Sequence, residues 1–139
     1  MKIGALLEAE IDAAVALWRT CGLIRPWNDP NADARLALTS PASTILVGRI
    51  EGRLAATAMT GFEGHRAWVY YLAVDPALRG VGHGAAMMRA CEAWAAARGA
   101  PKIQLMVRSA NTAAAGFYAA IGYERQDVQV FGKRLDDRS

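Results

Sequence analysis

Val69 to Ala85 reads Val-Tyr-Tyr-Leu-Ala-Val-Asp-Pro-Ala-Leu-Arg-Gly-Val-Gly-His-Gly-Ala. It begins as a strand signal, with branched and aromatic residues between Trp68 and Val74. Asp75-Pro76 stops the strand, because proline has no amide for a ladder. Arg79-x-x-Gly82-x-Gly84 follows, with Gly80 inside it, and an Ala/Met-rich helix starts directly after. Strand, glycine loop and helix start form a layout that binds phosphate. Glycines let the backbone approach an anion closely, successive amides can point at it, and the helix dipole adds positive potential.

Upstream of this stretch, residues 2–7 read as a short first strand and 8–21 as a helix with Ile11, Val15, Leu17 and Trp18 near helical spacing. A loop with prolines at 26 and 30 leads to a shorter helix over 31–39. Residues 43–50, 53–62 and 65–74 read as strands separated by the turns Glu51-Gly52 and Glu63-Gly64, which predicts an antiparallel meander. Downstream, 84–98 is the central helix, with Met87, Met88, Cys91, Trp94 and Ala95 on its apolar face and Gly99 as its stop. Residues 101–107 read as a buried strand. The intervening helix is a crossover, so this strand should run parallel to 69–74. Asn111 or Thr112 caps a last helix ending near Ile121, followed by an extended segment over 123–135 and a frayed tail. The pattern predicts one domain over 1–139 of the α/β (α+β) class: a single mixed, mostly antiparallel sheet flanked by helices.

The bulk properties narrow the function. A chain of 139 residues, 53% hydrophobic and 21% charged, is a globular domain with one core. No apolar run approaches the roughly eighteen residues of a membrane span, and Glu8 interrupts the N-terminal apolar run too early for a signal peptide, so a cytoplasmic protein is expected. Net charge is +3 with no Lys/Arg block, which suits an anionic ligand but not dedicated nucleic-acid binding. The two cysteines, Cys21 and Cys91, sit in helical patterns as small hydrophobes, and no Cys/His spacing points to a metal.

The glycine loop has three readings. One is a plain turn before a helix. A second is a dinucleotide fingerprint, since Gly80-x-Gly82-x-x-Ala85 fits G-x-G-x-x-A. Against it, the segment 75–79 separates the glycines from the strand, and the next strand ends on Arg108 rather than an acid. The third is a diphosphate cradle for coenzyme A. Here Arg79-x-x-Gly82-x-Gly84 resembles the Q/R-x-x-G-x-G/A acyl-CoA signature of the Gcn5-related N-acetyltransferases (the GNAT family). Leu72-Ala73-Val74-Asp75-Pro76 resembles that family's strand and turn, and Asn111…Phe117-Tyr118…Ile121-Gly122-Tyr123 resembles its C-terminal pattern. Leu23-Ile24-Arg25-Pro26-Trp27-Asn28-Asp29-Pro30, Gly64-His65-Arg66 and Gly132-Lys133-Arg134-Leu135 are similar to small bacterial acetyltransferases of the YpeA kind.

The resemblance implies a GNAT-like acyl-CoA N-acyltransferase fold, acetyl-CoA as cofactor, and N-acetylation of a primary amine on a small-molecule or amino-acid-like acceptor. The alternatives are a catalytically weak acyl-CoA-binding module and an acetyltransferase of protein N-termini or lysines. It implies that Arg79, Gly80, Val81, Gly82, His83, Gly84 and Ala85 hold the diphosphate. Leu72, Ala73 and Val74 would line the pantetheine arm, with Asn111, Phe117 and Tyr118 completing the cofactor site. Tyr118 falls where the family places a tyrosine acid, and a phenol stays protonated at neutral pH. Met106 stands where ribosomal-protein acetyltransferases carry a glutamate, and its side chain cannot take a proton. Glu63 and His65 are the candidate bases, beside a water route. Trp27, Asn28, Asp29 and Tyr70 are the candidate acceptor contacts: the Trp as a pocket wall or core plug, the Asp as a partner for a cationic amine. A homodimer through an edge strand at 128–135 is a further expectation.

Overall fold

The computed structural model describes residues 1–136. Of the tail expected over 136–139, all but Asp136 lies outside the described residues. By its internal contacts the chain divides into two units, Met1–Leu105 and Met106–Ser139.

The first unit is a five-stranded sheet in the order β1-β2-β3-β4-β5, with β1 Lys2–Ala5, β2 Ser43–Ile50, β3 Arg53–Phe62, β4 Ala67–Val74 and β5 Ile103–Leu105. Neighbours pair antiparallel except β4 and β5, which are parallel. That is the mixed, mostly antiparallel sheet that the meander and the crossover predict. Helices α1 Ile11–Thr20 and α2 Pro30–Thr39 lie between β1 and β2 in the chain, and α3 His83–Ala97 lies between β4 and β5. Residues 8–10 form a separate 3-10 turn ahead of α1, where the Leu7 amide donates to Glu10 Oε1 at 2.9 Å. Glu10 in turn takes the Arg49 guanidinium through both oxygens, which ties this turn to β2. Pro30 opens α2, and the Asp29 carboxylate caps it by accepting from the Ala32 amide at 3.1 Å.

The strand period sorts the core into two faces. Ile45, Val47 and Thr57 share one face with the buried residues of α1 and α2, among them Ile11, Trp18 and Ala34. Ala56, Ala58 and Thr60 turn to the other face, which α3 covers with Met87, Met88 and Cys91. Cys91 sits beside Thr60, and burial, with Glu92 adding to it, pushes its thiol up to about 12. It is the small hydrophobe its helical position suggests. Among the described residues no helix is long and apolar enough to cross a membrane.

β4 carries an irregularity absent from the sequence reading. Thr57 pairs with Ala73, but Met59 pairs with Tyr70, so two steps on β3 face three on β4. The extra residue makes a bulge, and Tyr71 within it has φ +52°, a left-handed conformation that is costly outside glycine. A buried polar chain holds it there. Trp18 Nε1 donates to Thr57 Oγ1 at 2.8 Å, and the Thr57 hydroxyl donates to the Tyr71 carbonyl at 2.8 Å. The Tyr71 ring stacks on Trp18 with centroids 3.9 Å apart, and its hydroxyl donates to Asp33 Oδ2 at 2.8 Å. Burial, reinforced by that carboxylate, pushes the Tyr71 phenol far above its ordinary value, so it stays a donor.

β5 is shorter than expected. The predicted strand over 101–107 reduces to Ile103–Leu105, half-buried, paired only with Ala67–Val69. Pro101 cannot donate to a ladder, and on β4 the bulge begins just past the last paired residue.

The second unit holds α4 Thr112–Ala120, capped by Asn111, whose side chain accepts from the Ala114 amide at 3.1 Å. The segment expected to be extended over 123–135 is irregular, and Val128, Val130, Phe131 and Leu135 are exposed. A strand needs a paired neighbour, and no described ladder reaches this segment. The edge strand on which the dimer expectation rested is therefore not formed.

Thr57→Val keeps the side-chain shape but strips the hydroxyl that serves both the Trp18 N–H and the Tyr71 carbonyl. It should lower unfolding free energy by about 1–3 kcal/mol, read as a drop in urea midpoint at unchanged m-value; an unchanged midpoint would show that the polar chain contributes nothing.

Candidate active site

The site is built where β4 loses its parallel partner. The Asp75 amide donates to the Ala55 carbonyl at 2.9 Å, toward β3. By strand alternation the main-chain groups of Val74, and of Leu72 one period earlier, turn to the opposite edge. β5 does not pair there, since its ladder ends at Val69↔Leu105. Main-chain donors and acceptors along this stretch therefore suit an extended, amide-bearing ligand added as a strand. One group is already engaged: the Val74 carbonyl accepts from Arg79 Nε at 3.2 Å and lies 3.5 Å from the Cys21 thiol.

Past β4, Asp75 Oδ1 accepts from the Ala77 amide at 3.0 Å and sets the single 3-10 turn Pro76–Leu78. The loop then turns through Gly80 (φ +85°) and Gly82 (φ +91°), values that L side chains rarely adopt. Gly82 is the N-cap of α3 and has no side chain to cap it. The first-turn amides of His83, Gly84 and Ala85 have no intrahelical acceptor. A Cβ built on Gly80 or Gly82 would meet nothing within 4 Å, so the space above the loop is open. An open glycine cradle over a helix N-terminus fits a diphosphate. The Arg79 side chain points elsewhere. Its Nη2 lies 3.2 Å from Cys21 Sγ, and its Nε is on Val74, so the guanidinium braces the loop against the end of β4.

The candidate bases sit in the turn between β3 and β4. Glu63 accepts from the main-chain amides of His65 and Arg66. Those two bonds, Arg66 first, with the Trp68 ring and the nearby His65, hold its carboxyl below the ordinary carboxylate value. A carboxylate stabilised in this way is a poor proton acceptor. His65 is exposed beside it, and its carbonyl accepts from Arg66 Nη1 at 3.0 Å. Tyr70 is 44% exposed, and burial of its ring, helped by the Glu63 charge, raises its phenol pKa. A cavity of about 220 Å³ brings Glu63 and Tyr70 together with Trp68, Phe62, Gly61 and Ser43.

The other expected acceptor residues lie in the loop between α1 and α2. Trp27 is 42% exposed and so is not a core plug. The Asn28 amide donates to the Arg25 carbonyl at 3.0 Å, and Asp29 spends one oxygen on the α2 cap. Asn111, Phe117 and Tyr118 belong to the second unit. Asn111 acts there as a helix cap. Tyr118 is half-buried, edge-on to Phe117 (5.0 Å) and to Tyr123 (5.9 Å).

Two features escaped the sequence reading. One is the bulge and its polar lock; the available signal was Tyr70-Tyr71, two aromatics in succession on a strand that otherwise alternates, with Thr57 alone among alanines opposite. The other is the cavity, whose residues come from three strands and a turn.

The sequence profile of the acetyltransferase (GNAT) family matches residues 7–123. An acetyltransferase of Yersinia enterocolitica is 38% identical over 135 residues, covering 97% of this chain and 96% of the relative. In fold, a putative acetyltransferase from Agrobacterium tumefaciens superposes with a TM-score of 0.82 at 19% identity, covering 96% of this chain and 100% of the other. Aminoglycoside N-acetyltransferase AAC(6')-Iy in complex with CoA gives a TM-score of 0.82 at 15% identity, covering 97% and 95%. Acetyl-CoA is the acetyl donor in this family. On the profile match and the near full-length similarity together, the chain belongs to the GNAT family of acetyltransferases.

Proposed function

We propose that this protein transfers the acetyl group of acetyl-CoA directly to a primary amine of a small-molecule or amino-acid-like acceptor, acting as a single domain. The observation that carries this reading is the open cradle at Gly80–Ala85, joined through Val74 to the β4 edge that β5 leaves unpaired. When bound, acetyl-CoA supplies an activated acyl group as a thioester. The amides of His83, Gly84 and Ala85 would hold its diphosphate, and main-chain groups at Leu72 and Val74 would hold its amide-bearing arm.

Proton handling falls to the chain. The acceptor enters as an ammonium and must lose a proton before its nitrogen can attack the acetyl carbonyl. Glu63 is held ionised and weakly basic by its donors, which favours loss of that proton to solvent. As the new N–C bond forms, the C–S bond breaks and the nitrogen sheds its second proton. Tyr118 would donate to the departing sulfur and recover a proton afterwards, so the balance is one acetamide, one thiol and one proton released.

Thiol release from acetyl-CoA across a panel of primary amines tests the reading. Turnover with at least one small amine is expected; CoA binding without transfer to any amine would instead support an acyl-CoA-binding module. Tyr118→Phe should lower kcat at least about tenfold while leaving CoA affinity nearly unchanged, and equal turnover would remove Tyr118 from the mechanism. Gly82→Ala forces a side chain into φ +91°, a strain of roughly 1–2 kcal/mol. Calorimetry should then show CoA binding weakened by about tenfold with the fold retained; undiminished affinity would take the loop out of the cofactor site.

A further inference from the structure

The cavity at the start of β4 has a composition that selects its ligand. Gly61 pairs with Ser43 on one side and Trp68 on the other, so a row of Ser43, Gly61 and Trp68 runs across three strands. Gly61 leaves that row without a side chain between its neighbours. A Cβ there would come within 3.2 Å of Ser43 Cβ and 3.3 Å of the Ala42 carbonyl, so the gap is closed to larger residues. Trp68 and Tyr70, two apart on β4, stand on the same face and wall the gap, and Phe62 and Glu63 line it as well.

Glu63 is not a loose surface carboxylate. Two main-chain amides fix one of its oxygens, Oε1. The carboxylate is thereby pinned in the lining of a pocket of about 220 Å³ that two aromatic rings share. Arg66 turns its guanidinium to the His65 carbonyl at 3.0 Å. Two aromatic rings together with one anchored negative charge in a mostly apolar pocket suit a compact cation such as an ammonium group.

The same carboxylate decides which ammonium it is. A negative charge beside an ammonium favours the protonated form, and a protonated nitrogen cannot attack a carbonyl. An amine held by Glu63 is therefore held out of the reaction. Tyr70, a wall of the pocket, directly precedes the bulge residue Tyr71, beyond which lies the β4 edge assigned to the cofactor arm. The nucleophile is then a different nitrogen on the same molecule, reaching from the pocket toward that edge.

We infer that the pocket of Trp68, Tyr70, Phe62 and Glu63 is a cation subsite, and that the acceptor is a short molecule with two cationic amines, one anchored in the pocket and the other acetylated. This inference rests on the reading of the protein as an amine acetyltransferase, and it deepens that reading by fixing the acceptor class.

Thiol release is compared for straight-chain diamines of three to six carbons and for the monoamines and amino alcohols of equal length. The diamines should be preferred by about tenfold or more in kcat/KM. Glu63→Gln, which retains an oxygen for the two main-chain amides, should collapse the ratio of diamine to monoamine toward one, and Trp68→Leu should reduce it. Equal use of diamines and monoamines by the unaltered protein would overturn the subsite while leaving the acetyltransferase reading intact. If no amine is acetylated, calorimetry with 1,4-diaminobutane still decides the matter. Binding that is lost in Glu63→Gln supports the subsite, and absence of binding overturns it.

Discussion

Tyr71 occupies a backbone conformation that a tyrosine adopts only under constraint, and the constraint is a hydrogen-bond chain running from Trp18 through Thr57 to its own carbonyl. The Trp18–Thr57 link is buried and the Thr57–Tyr71 link part-buried, so an unmade bond at either is costly. The ring stack on Trp18 and the hydroxyl bond to Asp33 fix the other end of the residue. Four groups from α1, α2, β3 and β4 thus agree on a single geometry. The strain at φ +52° persists because its surroundings over-determine it.

The consequences spread along β4 in both directions. Toward its end, the extra residue changes which main-chain groups face β3 and leaves the far edge without a β5 ladder past Val69. That edge leads into a loop whose two left-handed glycines expose the first amides of α3. Arg79 stitches loop to strand through the Val74 carbonyl, so the cradle and the edge are held as one surface. Toward its start, the bulge sets Tyr70 and Tyr71 in succession, Tyr71 on the α1 and α2 side of the sheet. Tyr71 is committed to the core against Trp18, and Tyr70 is left to wall the cavity. One inserted residue therefore divides two adjacent tyrosines between the core and the cavity.

What could be read from the sequence follows from what is local. The meander, the crossover helix and the glycine loop announce themselves through period, turn chemistry and spacing, and all three stand close to where the residues put them. The similarity of Arg79–Gly84 and of Asn111–Tyr123 to GNAT patterns likewise depends on local strings. The bulge was not legible, because its cause is a threonine hydroxyl and an indole nitrogen 39 residues apart in the chain. The cavity was hidden for a related reason: Ser43, Gly61 and Trp68 become neighbours only through strand register. β5 and the 123–135 segment were over-read as strands, since β-propensity records fit to a half-buried pleated surface and not the presence of a partner.

The role of Glu63 shows how geometry redirects a reading based on residue type. A carboxylate near a reaction centre invites the role of base, and the sequence offers few others. Yet its donors, two main-chain amides above all, stabilise the charged form, which lowers its appetite for a proton. The features that weaken it as a base would suit it to the proposed role of anchor. A fixed, ionised, acceptor-only group beside aromatic rings holds positive charge well because it does not surrender its own. In a chain of net charge +3, the proposed placement of the diphosphate on the glycine loop and of the acceptor beside Glu63 would give the site two polarities: positive potential at the loop end of β4 and negative at the pocket end. On that proposal, a cationic acceptor and an anionic cofactor would be drawn to opposite ends of a single strand, with the bulge between them.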